Sequence, residues 1–199
     1  GSLTVTKIVV GGTAAVSDYS LTVSDINNNQ VSVTSGVSKS FASGTYTITE
    51  TGNTNYSRLN YTEAFGGDCN ASGVVTITAG GTHTCTITNT LITIPFTVTK
   101  DVVGGTAAVN DFNLFAGGTP VISGIPKSFG LGTTFTISET STTTGYALPT
   151  FTGDCNSSGQ VTITAVGSHA CTITNTATVN SGSLTVTKIV VGGTAAVSD

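Results

Sequence analysis

Two sets of a lysine, a glutamate and an asparagine recur in this chain, and each member has the same local context both times. The first set is Lys7, Glu50 and Asn89, which end the alternating segments 3–7, 46–50 and 85–89. Side chains of a β-strand point to opposite faces in turn. Each of the three polar residues therefore shares a strand face with apolar residues, so we expect all three to point into a core.

The second set is Lys100, Glu139 and Asn175, which end the segments 96–100, 135–139 and 171–175 in the same phase. Charged residues make up only 8% of the 199 residues. Burying an unpaired charge is costly, so a chain with so few charges is not expected to bury them without a role. The recurrence predicts two buried triads.

A buried triad of this kind can form a covalent bond. Desolvation disfavours the ammonium form and lowers the pKa of a fully buried lysine by up to roughly 3–5 units, and the neutral amine is a nucleophile. A glutamic acid that stays protonated can polarise the asparagine carboxamide, and attack by the amine then expels ammonia. The product is a Lys–Asn isopeptide bond, with Glu50 and Glu139 as the catalytic residues. The alternative is a structural network of hydrogen bonds or ion pairs.

The elements that must position the triads are strands. Helical periodicity is absent, and apolar residues alternate with threonine, a pattern that favours pleated strands. Short strands separated by Gly, Asn and Ser turn signals predict an all-β chain of tandem Ig-like β-sandwiches, with about seven strands each. For the first sandwich we expect strands at 3–10, 18–25, 31–34, 38–42, 45–51, 60–66, 73–79 and 82–90.

The four cysteines form two pairs with equal spacing and matching contexts. Cys69 and Cys155 follow Gly-Asp, whereas Cys85 and Cys171 begin Cys-Thr-Ile-Thr-Asn. The matched contexts favour one disulfide within each repeat, which would indicate an oxidising, extracytoplasmic setting. A zinc site is the alternative, although the sequence has neither a CxxC motif nor paired histidines beside the cysteines.

Other ligand classes find little support in the sequence. Asp68 and Asp154 suit turns better than calcium, because each glycine-rich turn offers one carboxylate, and His83 and His169 are expected to be surface or turn residues. The net charge of −4 and the six scattered basic residues argue against nucleic acid. No apolar run approaches the roughly 20 residues of a membrane helix. The start does not resemble a signal peptide, so any export signal is expected outside this sequence. We expect no metal and no cofactor.

Internal repeats predict the domain organisation. Residues 182–199 repeat residues 1–18 without a change, and a weaker repeat matches Leu3 with Phe96. We predict β-sandwich domain A at 1–92, β-sandwich domain B at 93–181, and the first strand of a further domain A at 182–199.

In that further repeat Lys188 would take the place of Lys7. A strand at 184–191 without partners would leave an open ladder. The expected partners are therefore neighbouring copies in a linear fibre, through a continuing chain or through strand complementation. A continuing array is favoured because domain A already has its own copy of this strand.

At these residues the sequence resembles the CnaB-type, SpaA-like prealbumin-fold domains of bacterial and archaeal surface proteins and pilins. Those domains carry a lysine on the first strand, an asparagine on the last and a catalytic glutamate between them. Glu139-Thr140 followed by Gly145-Tyr146 is similar to the family's E-T-x-x-x-x-G-Y element. Domain A lacks that Gly-Tyr spacing after Glu50. The resemblance implies intradomain isopeptide bonds.

The function expected from the residues and the resemblance is structural. We predict a non-enzymatic repeat unit of an extracellular fibre, stalk or pilus-like filament at the cell surface, whose only chemistry is one autocatalytic turnover per domain. The alternative is an adhesin repeat that binds a host protein or glycan through its loops. Residues 148–152 only approximate a sortase signal, so sortase polymerisation is not expected.

Overall fold

The computed structural model describes residues 1–52, 58–178 and 184–193. Within these residues the protein is all-β, with three short 3₁₀-helices at Val16–Asp18, Arg58–Asn60 and Val109–Asp111. No helix in this part of the chain is long and apolar enough to cross a membrane. The strands are β1 (Ser2–Val10), β2 (Tyr19–Asp25), β3 (Gln30–Val33), β4 (Ser38–Ser40), β5 (Gly44–Gly52), β6 (Tyr61–Gly67), β7 (Val74–Ile77), β8 (Thr82–Leu91), β9 (Thr93–Val103), β10 (Phe112–Ala116), β11 (Thr119–Val121), β12 (Lys127–Gly130), β13 (Thr134–Ser141), β14 (Thr150–Gly153), β15 (Gln160–Thr162) and β16 (His169–Thr176).

The strands form four four-stranded sheets, two in each sandwich. The first sandwich has the strand orders β4-β1-β8-β6 and β3-β2-β5-β7, and the second has β12-β9-β16-β14 and β11-β10-β13-β15. The β1–β8 and β9–β16 pairs are parallel. The tandem β-sandwiches predicted from the sequence are confirmed, and among the described residues each has eight strands, as many as the segments predicted for the first sandwich. The first and last strands of each sandwich lie side by side in the middle of one sheet.

Each sandwich has its own apolar core, formed by alternate residues of its strands. On β1 the buried side chains are those of Leu3, Val5 and Lys7, so the lysine continues an apolar stripe. In the second core the Phe96 and Phe135 rings meet edge to face, with centroids 5.3 Å apart. The same inward alternation that builds the core therefore carries a charged residue into it.

One residue, Ile92, separates the last strand of the first sandwich from the first strand of the second. Its N–H donates to the Asn60 carbonyl at 2.9 Å, and its carbonyl accepts from Leu131 N–H at 2.8 Å. The Leu91 side chain packs on Gly130, where an added Cβ would lie 2.7 Å from Leu91 Cδ2. These contacts hold the two sandwiches together at a short junction.

Residues 184–193 have no regular secondary structure here. Leu184 and Val186 are exposed, although the identical residues Leu3 and Val5 are buried on β1. Residues 182–183 and 194–199 lie outside the described residues. That 182–199 begins a further domain therefore stays a prediction, as do the boundaries at 92 and 181.

Two disulfides tie the last strand of each sandwich to the loop after its neighbouring strand. Cys69 is bonded to Cys85 and Cys155 to Cys171. Just before the first bridge, Gly67 has a φ of 74°, and a Cβ there would lie 2.4 Å from the Thr84 carbonyl oxygen. The close backbone approach at Gly67 sets the position of the loop that carries Cys69.

Replacing Gly67 with alanine tests this backbone approach. Gly80→Ala is the matched control, because Gly80 has a similar φ of 72° and nothing lies within 4 Å of an added Cβ. The left-handed backbone alone should lower the free energy of unfolding by about 1–2 kcal/mol in Gly80→Ala. Gly67→Ala should lose a further ~1–3 kcal/mol through the clash. Urea unfolding of both variants measures the difference, and equal losses would contradict the predicted clash.

Candidate functional site

The predicted triad of the first sandwich is assembled from both of its sheets. Lys7 on β1 and Asn89 on β8 come from parallel neighbours, with Asn89 in register with Val9. Glu50 comes from β5 in the facing sheet. The three residues are 3%, 0% and 2% exposed respectively. The site therefore lies inside the sandwich, next to the paired first and last strands.

Glu50 contacts both of the other members of this triad. Its Oε2 lies 2.9 Å from Lys7 Nζ, and its Oε1 accepts a hydrogen bond from Asn89 Nδ2 at 2.5 Å. Lys7 Nζ also lies 3.5 Å from the Ile87 carbonyl oxygen. One carboxyl group thus bridges the amine and the carboxamide.

The second sandwich brings Lys100, Glu139 and Asn175 together in the corresponding place. Lys100 Nζ lies 3.2 Å from Glu139 Oε2 and contacts Asn175 Oδ1 directly. Lys100 and Asn175 are each 4% exposed, and the Glu139 side chain is 8% exposed. Here the amine itself lies against the carboxamide.

An aromatic ring lies beside each lysine, a contact that the strand pattern does not predict. Lys7 Nζ is 4.6 Å from the centre of the Tyr19 ring, and Lys100 Nζ is 4.3 Å from the centre of the Phe112 ring. Burial raises the pKa of the Tyr19 hydroxyl, and the neighbouring Asn89 side chain partly opposes that rise. The ring limits the space in which each amine can move.

A serine fixes the backbone of each lysine and was also missed. Ser35 Oγ accepts a hydrogen bond from Lys7 N–H, and Ser123 Oγ accepts one from Lys100 N–H, both at 2.9 Å. Each serine precedes a glycine with positive φ, Gly36 or Gly124. The signal was the Ser-Gly pair at matching places in both repeats. These bonds hold the strand at the point where the lysine turns inward.

The Gly-Tyr element of the second sandwich anchors the loop beside the site. The Tyr146 hydroxyl accepts a hydrogen bond from Ala107 N–H at 2.9 Å and donates one to the Gly104 carbonyl at 3.1 Å. The Tyr146 ring meets the Phe112 ring edge to face at 5.7 Å. A Cβ at Gly105 would lie 2.3 Å from the hydroxyl oxygen, so glycine is needed there.

The first sandwich places a tyrosine in the same position from a different part of the sequence. A Cβ at Gly12 would lie 2.4 Å from the Tyr61 hydroxyl oxygen. Tyr61 pairs with Leu91, as Tyr146 bridges Ala177 in the second sandwich. The Gly-Tyr spacing that follows Glu139 is absent after Glu50, as expected. Tyr61 instead supplies the hydroxyl that Tyr146 supplies in the second sandwich. Part of the intervening segment, 53–57, lies outside the described residues.

The aspartates next to the disulfides lie in the loops after β6 and β14 and accept hydrogen bonds from the last strand of each sandwich. Asp68 Oδ2 accepts Thr84 N–H at 2.7 Å, and Asp154 Oδ2 accepts Ala170 N–H at 2.8 Å. His169 Nδ1 lies 3.3 Å from Asp154 Oδ2. Within the described residues, no group of three or more His, Cys, Asp or Glu side chains could hold a metal ion.

The remaining predicted site residue, Lys188, is exposed. It is therefore not part of a buried triad in this structure. Its predicted role belongs to the unconfirmed further repeat.

No family model matches the chain, and no curated protein matches it. Among solved structures it is similar to the Bacillus anthracis TIE protein, with 17% identity, a TM-score of 0.49 and coverage of 89% of this chain and 34% of that chain. A C-terminal fragment of the pilus adhesin SpaC from Lactobacillus rhamnosus GG has 15% identity, a TM-score of 0.49 and coverage of 91% and 99%. The major pilin protein T-13 from Streptococcus pyogenes has 13% identity, a TM-score of 0.40 and coverage of 88% and 97%. These similarities are too distant to assign a function.

Removing the Tyr146 hydroxyl tests whether it anchors the loop. Tyr146→Phe should lower the free energy of unfolding of its domain by about 1–3 kcal/mol, because Ala107 N–H would lose a partner in a half-buried position. Tyr46→Phe is the control, since the Tyr46 hydroxyl donates to the Ala42 carbonyl in an exposed position and its loss should have a smaller effect. Thermal unfolding followed by circular dichroism measures both, and equal effects would contradict an anchoring role.

Proposed function

We propose that the chain is a structural repeat unit of an extracellular fibre, stalk or pilus-like filament, stabilised by a Lys–Asn isopeptide bond in each sandwich and by the two disulfides. The observation that carries this proposal is the contact of one carboxyl group, Glu50, with both the Lys7 amine and the Asn89 carboxamide. The same three residue types meet in the second sandwich.

The arrangement supports the reaction because the glutamate lies between the group that loses a proton and the group that must gain one. The neutral Lys7 amine attacks Asn89 Cγ, and a bond forms between Nζ and Cγ. Glu50 takes a proton from Nζ on one oxygen and supplies a proton to Nδ2 from the other. The Cγ–Nδ2 bond then breaks and ammonia leaves. General acid–base catalysis of this kind requires hydrogen-bond reach on both sides.

Burial contributes to the same chemistry. An ammonium and a carboxylate lose most of their hydration in the sandwich interior, so their charged forms are costly there. Transfer of one proton from Lys7 to Glu50 converts the pair into the neutral amine and the neutral acid that the attack needs. Each site can react once, because the product amide stays in the fold. In this proposal the chemistry of the protein is one autocatalytic turnover in each sandwich, without a soluble substrate.

The position of the bond suits a load-bearing role. Lys7 lies on the first strand of its sandwich and Asn89 on the last, and these strands are parallel neighbours. Tension applied to the two ends of the domain would pass from residue 7 to residue 89 through one covalent bond. The rest of the sandwich, including the Cys69–Cys85 bridge, would then carry little of the load.

The proposed location and partners follow from the disulfides and from the repeated segment. Disulfides persist in oxidising, extracytoplasmic settings. The partners are neighbouring copies in a linear fibre, joined through a continuing chain or through complementation by the strand predicted at 184–191. The short junction at Ile92 would limit bending between successive sandwiches.

Intact mass of the reduced protein tests the reaction. The full chain should lack the mass of two ammonia molecules, one for each sandwich. Glu139→Gln should restore one of them, because an amide side chain cannot relay the proton. Asn175→Ala should restore the same mass change by removing the carboxamide, after correction for the substitution. A wild-type mass equal to the sequence value would refute both bonds.

Glu63→Gln is the matched control for the corresponding change Glu50→Gln in the first sandwich. Glu63 on β6 is the cross-strand partner of Asn89 on β8, so a second glutamate lies next to the reacting residue in the sheet. Glu63→Gln should keep the loss of ammonia, whereas Glu50→Gln should abolish it in that sandwich. The opposite result would assign the proton relay to Glu63. Asn89→Ala serves as a second variant, because it leaves the Lys7–Glu50 pair intact.

Electron microscopy of purified native material tests the fibre. A linear filament should show sandwich-sized beads that repeat in pairs along its axis, because the sequence alternates two kinds of domain. Dispersed particles of a single size would contradict the fibre and would favour the adhesin alternative, which a glycan or host-protein binding screen would then examine.

A further inference from the structure

Two buried, uncharged polar atoms beside Lys7 have no hydrogen-bond partner within the described residues. They are the hydroxyl oxygen of Tyr19 and Oδ1 of Asn89. Tyr19 is 6% exposed and Asn89 is fully buried. A buried polar group without a partner costs about 1–3 kcal/mol, so such groups call for an explanation. One of the two is a hydrogen-bond donor and the other is an acceptor.

The two atoms belong to the same small region of the core. Tyr19 begins β2, which pairs with β5 so that Leu21 lies opposite Glu50. Lys7 Nζ lies 4.6 Å from the Tyr19 ring centre. The Asn89 side chain partly opposes the rise that burial causes in the pKa of the Tyr19 hydroxyl. The Tyr19 ring thus lies beside the amine that would attack the Asn89 carboxamide.

The second sandwich supplies a natural comparison. Phe112 occupies the position of Tyr19 and covers Lys100 Nζ in the same way, but it has no hydroxyl group. In that site Asn175 Oδ1 is contacted by Lys100 Nζ. Among the described residues, the carboxamide oxygen therefore has a partner in the sandwich that lacks the tyrosine and none in the sandwich that contains it.

We propose that the Tyr19 hydroxyl donates a hydrogen bond to Asn89 Oδ1 during bond formation and stabilises the negative charge that develops on this oxygen. The inference rests on the proposed isopeptide reaction. Attack of Nζ on Cγ moves the π electrons of the carbonyl onto Oδ1. Their return expels Nδ2 as ammonia, with a proton from Glu50. Tyr19 keeps its proton throughout, so it ends the reaction unchanged.

The chemistry of the position supports a donor to the oxygen. Donors aimed at an oxygen that gains charge in the transition state act most strongly in a dry site. Burial raises the pKa of Tyr19, so the phenol stays protonated and can donate at neutral pH. The two sandwiches would then form the same product but stabilise the carboxamide oxygen differently. A tyrosine hydroxyl would do so in the first, and only the lysine amine in the second.

The test follows bond formation in the newly made full chain. The protein is synthesised in a cell-free system under oxidising conditions, stopped with acid at intervals and digested. The branched peptides of the two sandwiches and the Cys69–Cys85 peptide are then quantified by mass spectrometry. Tyr19→Phe should slow the Lys7–Asn89 bond by about 100-fold, since removal of one oxyanion donor has an effect of that order. The Lys100–Asn175 bond in the same molecules should form at the wild-type rate.

The disulfide separates this role from a merely structural one. Formation of the Cys69–Cys85 bridge reports folding of the first sandwich, and Tyr19→Phe should leave its rate unchanged. An unchanged rate of bond formation, or equal slowing of bond and bridge, would overturn the proposal. If the variant fails to form the bridge at all, Phe112→Tyr decides instead: faster formation of the Lys100–Asn175 bond supports the proposal, and no change overturns it.

The same experiment separates this inference from the proposed function. Wild-type protein without a branched peptide from either sandwich would refute the isopeptide bonds themselves. Wild-type protein with both branched peptides, and a Tyr19→Phe variant with the same rates, would refute only the role of Tyr19.

Discussion

The structure depends on how a β-sandwich accommodates a lysine in its apolar interior. Side chains along β1 and β9 point alternately inward and outward, and Lys7 and Lys100 fall at inward positions. Each lysine therefore continues a row of core side chains and is buried. A buried ammonium must be paired, neutralised or consumed. The facing strand supplies a glutamate and the parallel neighbour supplies an asparagine, so both charge balance and a reaction partner lie within reach. Because charged residues are scarce in the chain, their burial at these two places indicates a role.

The two sandwiches accommodate their buried lysines in different surroundings. In the first, Glu50 bridges the amine and the carboxamide; in the second, the amine contacts the carboxamide and Glu139 is slightly more open to solvent. In both, a tyrosine hydroxyl lies against the second glycine of a Gly-Gly pair, although Tyr61 and Tyr146 come from differently spaced sequences. The two sandwiches therefore share the packing around the triad, but they form it with residues from different places in the sequence.

Much of the fold and the members of each triad could be predicted because they depend on local alternation. The strands around Lys7, Glu50 and Asn89 lie within one or two residues of their predicted bounds. Ser35 and Tyr19 were missed because their contacts depend on how the two sheets pack, which no single strand pattern contains. Tyr61 was missed because the segment after Glu50 changes the spacing. The exposed segment 184–193 shows the same limit, since an identical sequence is buried on β1 only where β8 and β4 pair with it.

Tandem mass spectrometry of the reduced, denatured and digested protein tests the covalent link most directly. Fragmentation should identify one branched peptide in which the side chain of Lys100 is joined to that of Asn175, with the mass of one ammonia missing. Two separate linear peptides, with an intact lysine and an intact asparagine, would contradict the isopeptide bond and leave the triad as a buried polar network.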